Sequence, residues 1–283
     1  MDRGRTFRPL LITGHFLPAN GVGLESGSRY RKTTAAMLVV LFFVLAFLSE
    51  IAGTVAGFGS SVFFVPLASF FFDFREVLAL TSILHVFSNA AKLVLFGRHV
   101  QWRLLLLLGI PSTICVIVGA YLSAKLQFKL IELVLGLFLI WFSVFFLLRP
   151  KARMSPSPVN AIAAGGIAGF LAGLIGTGGA IRGLALGAFD LEKNVFVATS
   201  AAIDAGVDFS RMIVYLRSGF FTPEFYWFVP PLLLVAFAGS YVGKILLNQI
   251  EQKNFRRIVL ILVLLIGLTT LGGFIRGHVI SQP

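Results

Sequence analysis

The feature that most limits what this chain can fold into is its succession of apolar segments. Ten follow one another, near residues 35–56, 60–72, 77–96, 102–124, 128–148, 159–175, 179–189, 195–216, 224–248 and 256–275. Eight of them are about long enough to cross a hydrocarbon core of ~30 Å. In hydrocarbon a backbone N–H or C=O has no water to bond, so a spanning segment of this length closes its hydrogen bonds within itself as a helix. Only 13% of the residues are charged and 57% are hydrophobic, whereas a soluble domain carries about 25% charged residues. The sequence therefore predicts an all-α polytopic membrane protein.

The second and seventh segments are short, and each begins just after a glycine-rich break. The first break reads Gly53-Thr-Val-Ala-Gly-Phe-Gly-Ser-Ser-Val-Phe-Phe-Val-Pro66, and the second Gly169-Phe-Leu-Ala-Gly-Leu-Ile-Gly-Thr-Gly-Gly-Ala-Ile-Arg182. A shift of 119 lays Gly57 on Gly176 and Gly59 on Gly178. Broken backbone at membrane depth is tolerated where protein or a water-filled cavity surrounds it. Two such breaks at matching places in two halves point to a transporter binding site. The short segments read as half-helices or as arms of re-entrant hairpins. The expected organisation is a basic, disordered N-terminal arm over 1–34, a first transmembrane repeat over 35–148, a linker over 149–158, a second repeat over 159–275 and a tail over 276–283. A translation start at Met37 is a second reading of the arm. Placing the basic arm and the basic linker together in the cytosol demands an even number of crossings in the first repeat. Midplane binding architecture instead suggests inverted repeats. The sequence leaves this open, with eight to ten crossings.

Charge within the apolar segments is concentrated in the third and the eighth. The third carries His85, Asn89 and Lys92, and the eighth carries Asp204, Asp208 and Arg211, again related by 119. Spacing of i, i+4, i+7 puts each triplet on one helix face. Charge at that depth is expensive and faces a polar interior. Two plainer readings stand beside a binding role. One is an ion-pair staple, Asp208 with Lys92 or Asp204 with Arg211. The other is snorkelling of Lys92 and Arg211 to the interface. Arg182 lies one turn into the short segment after Gly179. A half-helix N-terminus suits an anion, and arginine adds a fork matched to oxyanion oxygens. Bonding of Arg182 to lipid headgroups is the plainer reading. Glu50, inside the first segment, is a candidate proton carrier or a packing hydrogen-bond partner. His99, after Gly97-Arg98, reads as a solvated loop residue.

At these residues the chain resembles the TauE/SafE family of sulfite and organosulfonate exporters. The family repeats Gly-x-Gly-Gly-Gly followed by a proline in each half. Here the first copy is Gly57-Phe-Gly59-Ser60-Ser61 with Pro66. The second is Gly176-Thr-Gly178-Gly179-Ala180, with Ala185 where proline is usual. Thr81-Ser82 and Thr199-Ser200 match the family's threonine-rich helix. The resemblance runs from about residue 36 to about 275, and the lost proline and the added Arg182 depart from it. It implies a secondary transporter in the inner or plasma membrane that moves sulfite or a short sulfonate outward.

Residues and resemblance together give a candidate set. Substrate binding falls to Gly57, Gly59, Ser60, Ser61, Lys92, Gly176, Thr177, Gly178, Gly179, Ala180, Arg182 and Arg211. Proton coupling falls to Glu50, His85, Asp204 and Asp208, whose charge can change as access alternates. A passive anion channel and a carrier of small carboxylates remain alternatives. No nucleophile–base pair or metal-ligand cluster is readable, so the chain is expected not to be an enzyme and to need no cofactor or metal. Cys115 is the only cysteine, which rules out an intrachain disulfide. The net charge of +12 sits mostly between segments and in the arm, where it suits anionic headgroups. The expected partners are therefore a small anion and membrane lipids, without nucleic acid. Self-association stays open.

Overall fold

A computed structural model of the chain describes residues 25–56, 59–149, 152, 154–249 and 252–279. Ten α-helices follow in order: α1 (Glu25–Ala56), α2 (Ser61–Ala68), α3 (Phe74–Phe96), α4 (Trp102–Lys125), α5 (Phe128–Leu148), α6 (Pro158–Ile175), α7 (Gly179–Gly187), α8 (Lys193–Arg217), α9 (Val229–Gln249) and α10 (Gln252–Val279). Short 3₁₀ turns at Gly97–His99 and Pro223–Phe228 precede α4 and α9. No strand occurs among the described residues. α1 begins at Glu25, well ahead of the apolar segment expected from residue 35; residues 1–24 of the arm lie outside the described residues.

Among the described residues, six helical stretches are long and apolar enough to cross a membrane: Ala36–Ala56, Phe74–His99, Trp102–Lys125, Lys129–Leu148, Pro158–Ile175 and Pro223–Leu247. The sequence suggested eight. α8 has the length, at 25 residues, but Asp204, Asp208 and Arg211 dilute its apolar character. In α10 the apolar stretch shortens to Leu260–Gly272. The architecture is that of an all-α, multi-pass membrane protein.

Small residues set the closest helix contacts, as expected where lipid removes the hydrophobic drive between helices. Gly165, Gly169 and Gly173 recur every fourth residue on α6 and meet the backbone of α4. A Cβ added at Gly169 would lie 2.1 Å from the Ser112 carbonyl oxygen, and one at Gly173 2.2 Å from that of Val116. Ser112 Oγ returns a hydrogen bond of 2.8 Å to the Gly165 carbonyl. On α9, Gly239 and Gly243 do the same for α1: a Cβ at Gly239 would lie 2.6 Å from Glu50 Cβ, and one at Gly243 2.7 Å from Thr54 Cβ. These contacts press α1 inward and carry Glu50 into the centre of the protein.

The residue pairs also fix helix directions. Glu50 meets Gly239 and Thr54 meets Gly243, so α1 and α9 run parallel. Ser88 meets Ser240 and Leu95 meets Lys244, so α3 runs parallel to α9. Gly109 meets Ile203 and Thr113 meets Gly206, so α4 and α8 run parallel, as do α4 and α6. His85 meets Arg211, Asn89 meets Asp208 and the Gln101 N–H meets Thr199, so α3 and α8 run antiparallel. α1 and α3 thus point one way, and α4, α6 and α8 the other. The starts of α1 and α6 lie at opposite ends of the bundle. The sequence had left open whether the two halves run the same way, because basic residues flank many of its loops.

Candidate functional site

Two interrupted helices build the site. After α1 the chain turns through Gly59, at φ +80°, into α2; after α6 it turns through Gly176, at φ +79°. Both torsions lie in the left-handed region that favours glycine. At Gly176 a side chain would in addition press on Leu78, with Cβ 2.6 Å from Cδ2. The 119 shift had paired Gly59 with Gly178, but Gly178 has φ −137°, so the two breaks turn at different points. Gly57, the counterpart of Gly176, lies outside the described residues. The breaks meet each other: a Cβ at Gly59 would lie 4.0 Å from Gly179 Cα, and Ser61 Oγ donates to Thr177 Oγ1 at 3.2 Å. Neither α2 nor α7 has a side-chain cap. Apart from Phe63, whose N–H reaches the Ser60 carbonyl at 3.1 Å, the N–H groups of their first turns have no acceptor within the helix and carry the positive end of the helix dipole.

Both N-termini open on one polar cavity, about 350 Å³ of atom-free space with its mouth included. Gly59, Ser60 and Ser61 line it from the first break, and Gly176, Gly178, Gly179 and Arg182 from the second. α3 contributes His85, Asn89 and Lys92, α6 contributes Ala172, and α8 contributes Asp204, Asp208 and Arg211. Thr177 and Ala180 are fully buried beside it, and Glu50, also fully buried, lies behind the wall. The cavity therefore gathers most of the residues singled out in the sequence.

The ion pairs differ from those expected. Asp208 pairs with Arg211, with Oδ1 2.8 Å from Nε, rather than with Lys92. Asp204 pairs with Arg182 on α7, rather than with Arg211. Lys92 pairs with Glu50 at 3.2 Å. Snorkelling does not occur, since Lys92, Arg182 and Arg211 are all buried. Arg182 accordingly does not reach headgroups. The difference has a plain cause: spacing fixes the face of one helix, while partner choice depends on how the helices rotate against each other. Lys92, Arg182 and Arg211 are thus each matched by one carboxylate.

A directional hydrogen-bond chain joins the two halves. A guanidinium has donors only, so Arg211 donates to His85 Nδ1, at 3.0 Å. That leaves His85 Nε2 to donate to Ser60 Oγ, 2.8 Å away. Ser60 Oγ donates in turn to Glu50, which is why Ser60 does not cap α2. Ser88 also donates to Glu50, and Lys92 donates to Ser88 Oγ at 2.7 Å. On the other side Asn89 Nδ2 donates to Asp208 at 2.6 Å, and Arg211 Nη1 donates to the carbonyls of Ala172 and Gly176 at 3.2 and 2.8 Å. Arg182 Nε donates to Ser200 Oγ at 3.3 Å. His99, by contrast, sits at the surface away from the cavity, with Nδ1 3.2 Å from the Phe96 carbonyl.

Ser88 was missed in the sequence, and Ser200 was noted there only within the Thr199-Ser200 match and not as a site residue. Ser88 lies three residues after His85 and four before Lys92, on the face those residues define. Ser200 precedes Asp204 by one turn. Helical spacing reaches both, but serine alone in an apolar helix is too common to stand out. Ala172 gave no signal.

A family model described as Sulfite exporter TauE/SafE matches residues 41–270. Comparisons with curated proteins and with solved structures give no match.

Proposed function

Because the chain belongs to the TauE/SafE sulfite exporter family, we propose that it is a proton-coupled secondary transporter, and not an enzyme, exporting a small sulfur-containing oxyanion across the inner or plasma membrane. The reading is sulfite or a short organosulfonate. The observation that carries it is the convergence of two uncapped half-helix N-termini on one cavity that also holds Lys92, Arg182 and Arg211. Unpaired N–H groups and arginine forks suit the oxygens of such an anion. In this reading the backbones at Gly59–Ser61 and Gly176–Ala180 hold the oxygens and Arg182 supplies the charge. Glu50, His85, Asp204 and Asp208 are the candidates for carrying the coupling proton.

The two halves are read as homologous repeats, 35–148 and 159–275. Helix pairing supports this. Exchanging each of α1–α5 with its counterpart five helices on turns the α1–α9 contact into α6–α4, and α3–α9 into α8–α4. In this reading the repeats are inverted, which the antiparallel run of the counterparts α3 and α8 supports, and that arrangement suits alternating access around a fixed midplane site.

Flux into proteoliposomes tests the reading, with sulfite, sulfoacetate, taurine, thiosulfate and small carboxylates compared. Sulfite or a sulfonate is expected to move fastest. Small carboxylates moving as fast would reject sulfur oxyanions as the substrate class. Arg182 gives a second test. Loss of a charge-assisted bond of about 1.5–3 kcal/mol weakens a site roughly tenfold to hundredfold. Arg182→Gln is expected to lose that much sulfite affinity, and Arg182→Lys less, measured on folded, purified protein. Dissociation constants within twofold across the three proteins would remove Arg182 from the site.

A further inference from the structure

The three cations of the cavity are not equally held. Lys92 and Glu50 share Ser88, and Glu50 also accepts from Ser60. Arg211 and Asp208 are fixed by two α6 carbonyls, His85 and Asn89. Among the described residues, Arg182 and Asp204 bond only to each other and to Ser200, which lies 3.3 Å from Arg182 and 3.5 Å from Asp204. Asp204 is also the most exposed carboxylate of the three pairs: its side chain is 16% exposed, against 6% for Asp208 and 0% for Glu50. Arg182 sits in the first turn of α7, beside the uncapped N–H groups. The cation best placed for an incoming anion is therefore occupied by the carboxylate easiest to displace.

We propose that the Arg182–Asp204 bridge is a lock that one anion and one proton open together, so that each anion crosses with one proton in the same direction. This rests on the transporter reading above and adds its stoichiometry and sense, with export driven by the anion's own outward gradient. With the bridge closed and the cavity empty, Arg182 and Asp204 cancel. With a monoanion such as hydrogensulfite on Arg182 and a proton on the Asp204 carboxylate, the charges cancel again. An anion without the proton leaves a buried negative charge in excess. A proton without the anion leaves the Arg182 guanidinium buried and bare. Both of these states carry an uncompensated charge that the protein interior penalises heavily, so only the two balanced states change access. Exchange of the anion for a proton moving the other way would require the bare guanidinium to reorient.

The surroundings of Asp204 agree with a single proton site. Arg182 faces it from α7, Asp208 from its own helix α8, and His85 and Lys92 from α3. α6 has no ionisable side chain, and the charged residues of α4, Arg103 and Lys125, lie at its two ends. Asp208, His85 and Lys92 already have the partners described above, so protonation of Asp204 changes the pairing of Arg182 and of no other cation.

The test uses the full chain in proteoliposomes with radiolabelled sulfite. Asp204→Asn imitates the protonated lock permanently. It still forms the loaded state but cannot return empty, because Arg182 would then be bare. Its sulfite–sulfite exchange is expected to stay within about threefold of wild type, while net flux down a sulfite gradient falls at least tenfold. Asp204→Glu keeps the acid and is expected to keep net flux. Net flux at the wild-type rate in Asp204→Asn would overturn the lock, as would loss of exchange and net flux together in a protein of normal abundance. Wild-type protein under an imposed pH gradient gives a measurement free of folding effects. Protein-dependent sulfite movement toward the alkaline side is expected, and movement toward the acidic side rejects the shared direction. Wild-type protein that moves no sulfite in either assay overturns the transporter reading itself, and the lock with it.

Discussion

Glu50→Gln is expected to cost the protein most of its stability, because it leaves Lys92 buried without a counter-charge. Glu50 is fully buried and accepts from Ser60, Ser88 and Lys92. Removing one partner of a buried pair costs about 3–5 kcal/mol, a large share of the ~5–15 kcal/mol that separates folded from unfolded domains. Close packing of Glu50 on Gly239 leaves little room for water to replace the carboxylate. Replacing both partners, Glu50→Gln with Lys92→Met, removes both charges together and is expected to restore most of the loss. Melting temperatures of detergent-purified protein around this cycle check the point. Losses that simply add would mean the two side chains are not coupled. The double variant also separates structure from function. Folded protein without sulfite flux places the pair in transport, and wild-type flux leaves it a staple.

The helices were legible in the sequence because length and hydropathy decide them, and little else in a bilayer competes. α2 and α7 were legible as short pieces because a glycine break interrupts the apolar run on one side. The triplets on α3 and α8 were legible as facing residues because charge in an apolar helix is costly enough to be informative. What could not be read is how those faces meet. Asn89 and Asp208 share an offset of 119 and touch each other, a contact that the offset alone does not imply. The pairing of Arg182 with Asp204 joins α7 to α8 and depends on their relative rotation. Helix direction was hidden too: loop charge is the orientation signal in the sequence, and here basic residues flank many of the loops. Ser60 shows a further limit. It looked like a ligand of the anion, and its hydroxyl is already committed to Glu50 and His85.

Arg211→Lys is expected to be severe where Arg182→Lys is mild, although both keep the charge. Arg211 is 1% exposed and spends its guanidinium in several directions at once. One Nη donates to the carbonyls of Ala172 and Gly176 at the end of α6, the other to His85 on α3, and Nε lies against Asp208 on its own helix. The Gly176 carbonyl belongs to the left-handed residue that ends α6, so Arg211 holds the second break in place from α8. An ammonium offers three donors from a single point. It cannot reach both α6 carbonyls, the His85 ring and the Asp208 carboxylate together. Each buried acceptor left bare costs about 1–3 kcal/mol, so Arg211→Lys is expected to lose several kcal/mol of stability. Its sulfite flux is expected to fall well below that of Arg182→Lys at a temperature where both are folded. Arg211 also dictates which nitrogen of His85 carries the proton. Nitrogen-15 spectra of the histidine ring in detergent-solubilised wild type are therefore expected to show the Nε2–H form. In Arg211→Lys, loss of the Nη donor should give a mixture of tautomers. Sulfite flux above half the wild-type rate, with an unchanged His85 spectrum, would show that charge alone is what this position supplies.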